Sequence, residues 1–138
     1  MDAIKVFARD WALRLLSVLR VVFALCYMEH GTQKILDFPP AAMPHPYHLL
    51  TLVPGLAGVL EFGGGALLLV GLFGRPVAFL LSGEAAFVYF IGHAPRGLFP
   101  LLNGGESAVL YCFAFFYLAA AGPGPWSVDA LLQRTPEP

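Results

Sequence analysis

Charge is what this sequence has least of. Only 12% of its residues are Asp, Glu, Lys or Arg, against about 25% in an ordinary soluble domain. A soluble chain of 138 residues that is 58% hydrophobic would have too little interior to hide its apolar surface. A water-soluble globule is therefore excluded. The eight Lys and Arg residues are scattered and the formal net charge is −1, so the basic cluster of a nucleic-acid surface is missing. Two cysteines, Cys26 and Cys112, lie in apolar runs far from each other. They form no CxxC, zinc knuckle or Fe–S set and read as small apolar packing residues. Haem and flavin motifs are lacking. No HExxH or ExxH spacing occurs, so any metal would need ligands gathered from different segments, and no metal site is predicted. No cleavable leader is evident, and the first apolar segment reads as a retained span.

What is there is hydrocarbon. The mean hydropathy is +0.72. Four apolar segments stand out, at roughly 13–30, 53–73, 76–92 and 105–121. A helix needs about 20 residues to cross a bilayer, and open sheets cannot sit in lipid. The prediction is one membrane domain, 1–138, folded as an all-α, four-helix transmembrane bundle. A first loop with Pro39, Pro40, Pro44 and Pro46 follows the first segment. Gly74-Arg75-Pro76 reads as a tight second turn, and HAPRGLFPLLNGG as the third connection. A short amphipathic tail helix is expected at about 127–134, with Ser127 as N-cap. Lys5, Arg9, Arg14, Arg75 and Arg134 fall on one side of this topology, against Lys34 and Arg96 on the other. By the positive-inside rule both termini are cytoplasmic, and the location expected is the bacterial inner membrane, crossed several times.

The few polar residues then gather. Glu61 lies about 12 Å below the start of the second segment and Glu84 near the middle of the third, at 1.5 Å per residue. A carboxylate in a membrane helix costs at least about 2.5–3.5 kcal/mol. Each must be paired, protonated or exposed to a water-filled pocket. Glu29, His30, Lys34, His93, Arg96, Asn103 and Glu106 cluster at the outer segment ends. One outer-leaflet polar cavity is the expectation, with those residues around its mouth and Glu61 and Glu84 as its buried acids. By depth, Arg20 is the expected structural partner of Glu84, and the outer cations those of Glu61. Gly58, Glu61 and Gly65 share a face, Gly64 and Gly71 extend it, and Gly83 adjoins Glu84; small residues let membrane helices approach closely. The aromatics Phe87, Tyr89, Phe90, Phe113, Phe115, Phe116 and Tyr117 read as lipid contacts or core, with a few available to line a pocket for a flat ring.

Three stretches carry a family resemblance: MEHGTQKIL ending the first segment, LEFGGGALLLVGLFGRPVA across the second, and GLFPLLNGGESAVLYCFAFFYLA leading into the fourth. With the closing GPGPWSVDALL they make the chain resemble the DoxX family of small bacterial membrane proteins. The resemblance covers roughly residues 13 to 132. His30, Gly31, Lys34, Glu61, Gly64, Gly65, Asn103, Gly104, Gly105 and Glu106 stand where the family has its HG..K, E..GG and NGGE elements. It implies a link to a subunit of an archaeal thiosulfate:quinone oxidoreductase, also described as part of a terminal quinol oxidase. For some members it implies oxidative-stress defence within complexes.

Three functional readings compete. The first is a quinone-linked redox subunit. Glu61, Glu84 and His30 would be the catalytic proton carriers, since carboxylates and imidazoles suit proton transfer near neutral pH. Electrons would come from redox partner proteins or a bound substrate. The second is a non-enzymatic scaffold that recruits redox or oxidative-stress proteins, with Glu61 as a polar staple. The third is a small proton-coupled carrier, which four helices would support best as a homo-oligomer. Whether the chain is an enzyme stays open on these residues alone. The lipid bilayer is a partner in every reading, and nucleic acid in none.

Overall fold

Residues 3–36 contain no proline and a single glycine. Nothing interrupts a helix there, and α1 runs unbroken from Ala3 to Leu36. A computed structural model of the chain describes residues 3–42 and 46–133. The end of the predicted tail helix, Arg134 and Pro44 lie outside the described residues. Among the described residues the chain is helical with no strand. Within them three helices are long and apolar enough to span a membrane: α1, α2 (Leu52–Val70) and α3 (Gly74–Arg96). A one-turn helix, α4 (Pro100–Asn103), leads into the shorter apolar α5 (Glu106–Ala121), and α6 (Val128–Leu132) closes the chain. The all-α membrane architecture expected from composition is thus the architecture observed.

Several boundaries differ from expectation, each for a local reason. The first helix was expected to stop near Glu29-His30-Gly31, yet it continues to Leu36. Gly31 is a contact residue and not a terminator: a Cβ there would stand 2.5 Å from the backbone nitrogen of Phe62. The second helix ends at Val70, before the expected 73, because Gly71 turns left-handed (φ +71°) and closes the last turn. Gly74-Arg75-Pro76, expected as the turn itself, is the first turn of α3. The third helix outruns 92 and carries His93 and Arg96 in its last two turns. At the start of α2, Val53 is extended, as the residue before a proline prefers, and the Thr51 hydroxyl accepts from the Gly55 amide at 3.2 Å.

The helices pack most extensively as two pairs, α1 with α2 and α3 with α5. Where the pairs meet, Ala24, Leu68, Ala78, Leu81, Phe115 and Leu118 are wholly buried. Ser82 on α3 adds a polar tie, donating to the Cys112 carbonyl on α5 at 2.8 Å. Phe79, Leu80, Phe90, Leu110 and Phe113 point outward, as a bilayer-facing surface requires.

The end of the bundle where α2 gives way to α3 is closed by three capping side chains. Arg20 on α1 is 1% exposed. It donates to the Leu68 and Leu69 carbonyls at the end of α2 at 2.5 Å each, to Trp126 at 2.5 Å and to Pro123 at 2.8 Å. Arg75 donates to the carbonyls of Ala119, Ala120 and Ala121 at the end of α5. Asp129 on α6 accepts from the Phe73 and Gly74 amides, at 2.9 and 2.7 Å, ahead of α3. Cations at helix C-termini and an anion at an N-terminus are the favourable signs for the helix dipole. The expected Arg20–Glu84 pair does not form, because Arg20 is fully engaged at the tail.

Gly31→Leu should destabilise the α1–α2 contact by about 1–3 kcal/mol, the usual cost of overpacking. Thermal melting in detergent checks this; an unchanged midpoint would show that the helices can separate there freely.

Candidate functional site

Tyr27, His30 and Lys34 are three and four residues apart on α1, so they share one face. Across from them on α2 stands Glu61, 3% exposed. It occupies a widened turn, Leu60–Gly64, a helical irregularity frequent at functional sites. Lys34 Nζ reaches both Glu61 oxygens, at 2.7 and 2.6 Å. The pair is half-sheltered, with the Lys34 side chain 24% exposed and that of Glu61 4%. A second widened turn, Tyr89–His93, ends on His93.

Between these groups lies a cavity of about 340 Å³. Tyr27, His30, Lys34, Glu61, His93, Ser107 and Tyr111 line it, with Gly104 and three apolar side chains. Aromatic rings build one wall. Tyr27 meets Tyr111 edge-on at 4.8 Å and Phe115 at 4.9 Å, and the His30 ring stands edge-on to Tyr111 at 5.7 Å. Such tilted geometries suit the ring quadrupoles.

The single expected cavity is, in the structure, several separate places. His30, Lys34, Glu61 and His93 do share it. Glu84 does not line it. The Tyr27 hydroxyl donates to Glu84 Oε2, so Tyr27 stands between Glu84 and the cavity. Glu29, Arg96, Asn103 and Glu106 are off its walls as well. Asn103 is 3% exposed and binds its own loop and, at 3.5 Å, the Tyr89 hydroxyl on α3. Its amide nitrogen donates to the Gly97 carbonyl at 2.8 Å, and its Oδ1 accepts from the Gly105 amide at 2.8 Å. A Cβ at Gly105 would lie 2.7 Å from the Tyr89 ring and 2.8 Å from His93 Cβ. The NGG element therefore lets the loop press against α3 beside His93. The Asn103 carbonyl lies 3.2 Å from His93 Nδ1, and Arg96 Nη2 lies 3.1 Å from that same nitrogen. Arg96 also donates to the Gly92 carbonyl at 2.7 Å. Glu29 and Glu106 are exposed. Among the described residues no three His, Cys, Asp or Glu side chains gather as a metal site would.

Sequence reasoning missed Tyr27, Ser107 and Tyr111. The signal was available: Tyr27 sits one helical turn before His30, and Ser107 and Tyr111 are four apart on α5, directly after the NGGE element.

Comparison with known proteins fits this geometry. The DoxX family model matches residues 15–94, a stretch that contains Tyr27, His30, Lys34, Glu61, Glu84 and His93. The chain belongs to the DoxX family. An uncharacterized protein of Haemophilus influenzae is 42% identical, with 83% of this chain and 87% of that protein covered. The inner membrane protein YqjF of Escherichia coli is 29% identical, with 85% and 91% covered. No solved structure matches significantly. This DoxX protein is a membrane protein whose polar residues converge between its helices.

Removing one partner of a sheltered ion pair strands the other, at about 3–5 kcal/mol. Lys34→Met should therefore lower the melting temperature clearly, and Lys34→Met with Glu61→Met should recover most of the loss. A double variant no better than the single one would mean that the pair does not hold α1 to α2.

Proposed function

We propose that this DoxX protein is a quinone-linked redox subunit or accessory of the bacterial inner membrane, with the cavity beside Lys34 and Glu61 as its head-group site. One observation carries the reading. The polar cavity shares Ser107 and Tyr111 with an apolar groove between α1 and α5, lined also by Val22, Phe23, Cys26 and Leu110. A polar chamber that shares a wall with a hydrocarbon-lined cleft suits a molecule with a flat polar ring and an apolar tail. Such a ligand arrives from the bilayer and not from water.

A quinone, once bound, supplies two-electron chemistry in which its two carbonyls each take up a proton. The residues of this chain would bind and move those protons. Lys34 offers donors to a carbonyl oxygen, Glu61 lies within 2.7 Å of Lys34, and His30 and His93 place imidazoles on the same walls. Aromatic edges of Tyr27 and Tyr111 flank a ring. Electrons come from redox partner proteins. The excess of Lys and Arg around the termini supports a cytoplasmic tail end, which turns the cavity toward the opposite face. The scaffold reading has its own support: Lys34 and Glu61 satisfy each other and tie α1 to α2, as a staple would.

Quinone-analogue affinity of the protein in nanodiscs separates the two. Glu61→Gln should weaken binding tenfold or more while the protein stays folded by circular dichroism. Saturable binding that the variant leaves unchanged would remove Glu61 from the site. No binding by folded wild type would leave the staple reading.

A further inference from the structure

Glu84 is the buried acid that the cavity leaves out. It lies about 15 Å along α3 at 1.5 Å per residue, far from either helix end. It is 9% exposed and shares an apolar wall with Leu60, Leu80, Phe87 and Val88. One oxygen, Oε2, accepts from the Tyr27 hydroxyl. The other, Oε1, is buried without a hydrogen-bond partner among the described residues. An ionised carboxylate with a bare oxygen is costly in such surroundings, and taking up a proton removes the charge and most of that cost.

The positive charge that could hold Glu84 ionised is already spent. Lys34 and Glu61 both act on it from α1 and α2, but Lys34 is bonded to both Glu61 oxygens, and the two charges cancel. Arg20 is engaged at the tail. On α5, Glu106 and Tyr117 are exposed, the Cys112 thiol meets Ser82 at 3.6 Å, and Tyr111 stands at the cavity. Among the described residues only Tyr27 bonds the Glu84 carboxyl. Tyr27 also lines the cavity, as does Ala85, the next residue after Glu84. Glu84 is thus one side chain away from the cavity, and that side chain can both give and take a proton.

We propose that Glu84 is a proton store for the cavity, and that the Tyr27 hydroxyl passes the proton between the two. In the empty state the Tyr27 O–H donates to Glu84 Oε2. Loading breaks that O–H bond and forms one on Oε2, while the Tyr27 oxygen takes a replacement proton from a water or hydroquinone in the cavity. The carboxylate becomes a carboxylic acid, Tyr27 ends neutral as it began, and no electron moves. In the loaded state Oε2–H donates to the Tyr27 oxygen, and the new Tyr27 hydrogen is available to the cavity. Discharge is the same path reversed, and it delivers one proton to a carbonyl oxygen of a bound ring. That use of the proton rests on the quinone reading; the store itself does not. Tyr27 is the group that meets the ligand, and Glu84 acts through it.

Infrared spectroscopy of the full chain in nanodiscs, without quinone, tests this. Near neutral pH the wild type should show the C=O stretch of a carboxylic acid, and Glu84→Gln should lack it. On transfer to D2O the band should shift as the proton exchanges. In Tyr27→Phe the band should persist at a changed frequency, because its hydrogen bond is lost. Its exchange should be slower by about a hundredfold or more, the lower end of what a positioned proton carrier contributes. A wild type without the band would mean that Glu84 is ionised, and would overturn the store. Exchange at the wild-type rate in Tyr27→Phe would overturn the relay and leave the Tyr27–Glu84 bond a structural tie. Should Tyr27→Phe fail to fold, 3-fluorotyrosine in place of tyrosine keeps the ring and makes the hydroxyl more acidic. The Glu84 band should then move, and an unmoved band would overturn the proposal. Since these bands are read without quinone, their failure is separate from a failure of quinone binding.

Discussion

A helix end in a membrane protein leaves carbonyls and amides that lipid cannot satisfy. The tail end of this bundle depends on that constraint. Arg20 is drawn into the protein, and its donors are spent on the carbonyls of Leu68, Leu69, Pro123 and Trp126. One side chain on α1 thereby closes α2 and ties down the segment that leads to α6. Arg75 does the same for α5, and Asp129 answers from α6 with the opposite sign for α3. Each cap comes from a different helix than the one it closes. The caps tie neighbouring helices together as well as satisfying their ends.

At the opposite end the polar groups do a different job. Lys34 and Glu61 neutralise each other, and Asn103 spends its amide on its own loop and the Tyr89 hydroxyl. What remains are the His30 imidazole, the Tyr111 ring and a chamber that shares Ser107 and Tyr111 with an apolar cleft. Two widened helical turns lie beside the cavity, at Leu60–Gly64 and Tyr89–His93. A widened turn shifts the side chains after it around the helix axis, which regular α-geometry would not allow. The tail end thus holds the helix caps, and the cavity end the Lys34–Glu61 pair and two widened turns.

How much of this was legible in the sequence depends on the kind of residue. Membrane class and helical content follow from solvation alone, and the ion pair between Glu61 and an outer cation follows from the cations placed at the same helix ends. The partner of Arg20 did not follow. Depth along a helix axis places two residues at similar levels but says nothing about rotation around it. Glu84 faces Tyr27, while Arg20 faces the end of α2 and the tail. Gly31 misled for a related reason. Glycine serves both as a helix stop and as a close-contact residue, and only the Phe62 backbone against it decides which.

The sequence by itself determined the solvent, the all-helical class and the family, since hydropathy, segment length and the order of short motifs are properties of the chain. It also determined that the acids had to be accommodated. Tertiary structure decided how: Lys34 for Glu61, Tyr27 for Glu84, backbone carbonyls for Arg20. Such choices depend on the rotation of each helix about its axis and on how closely two backbones approach. Both are set by packing among residues far apart in the chain, and no local pattern encodes them.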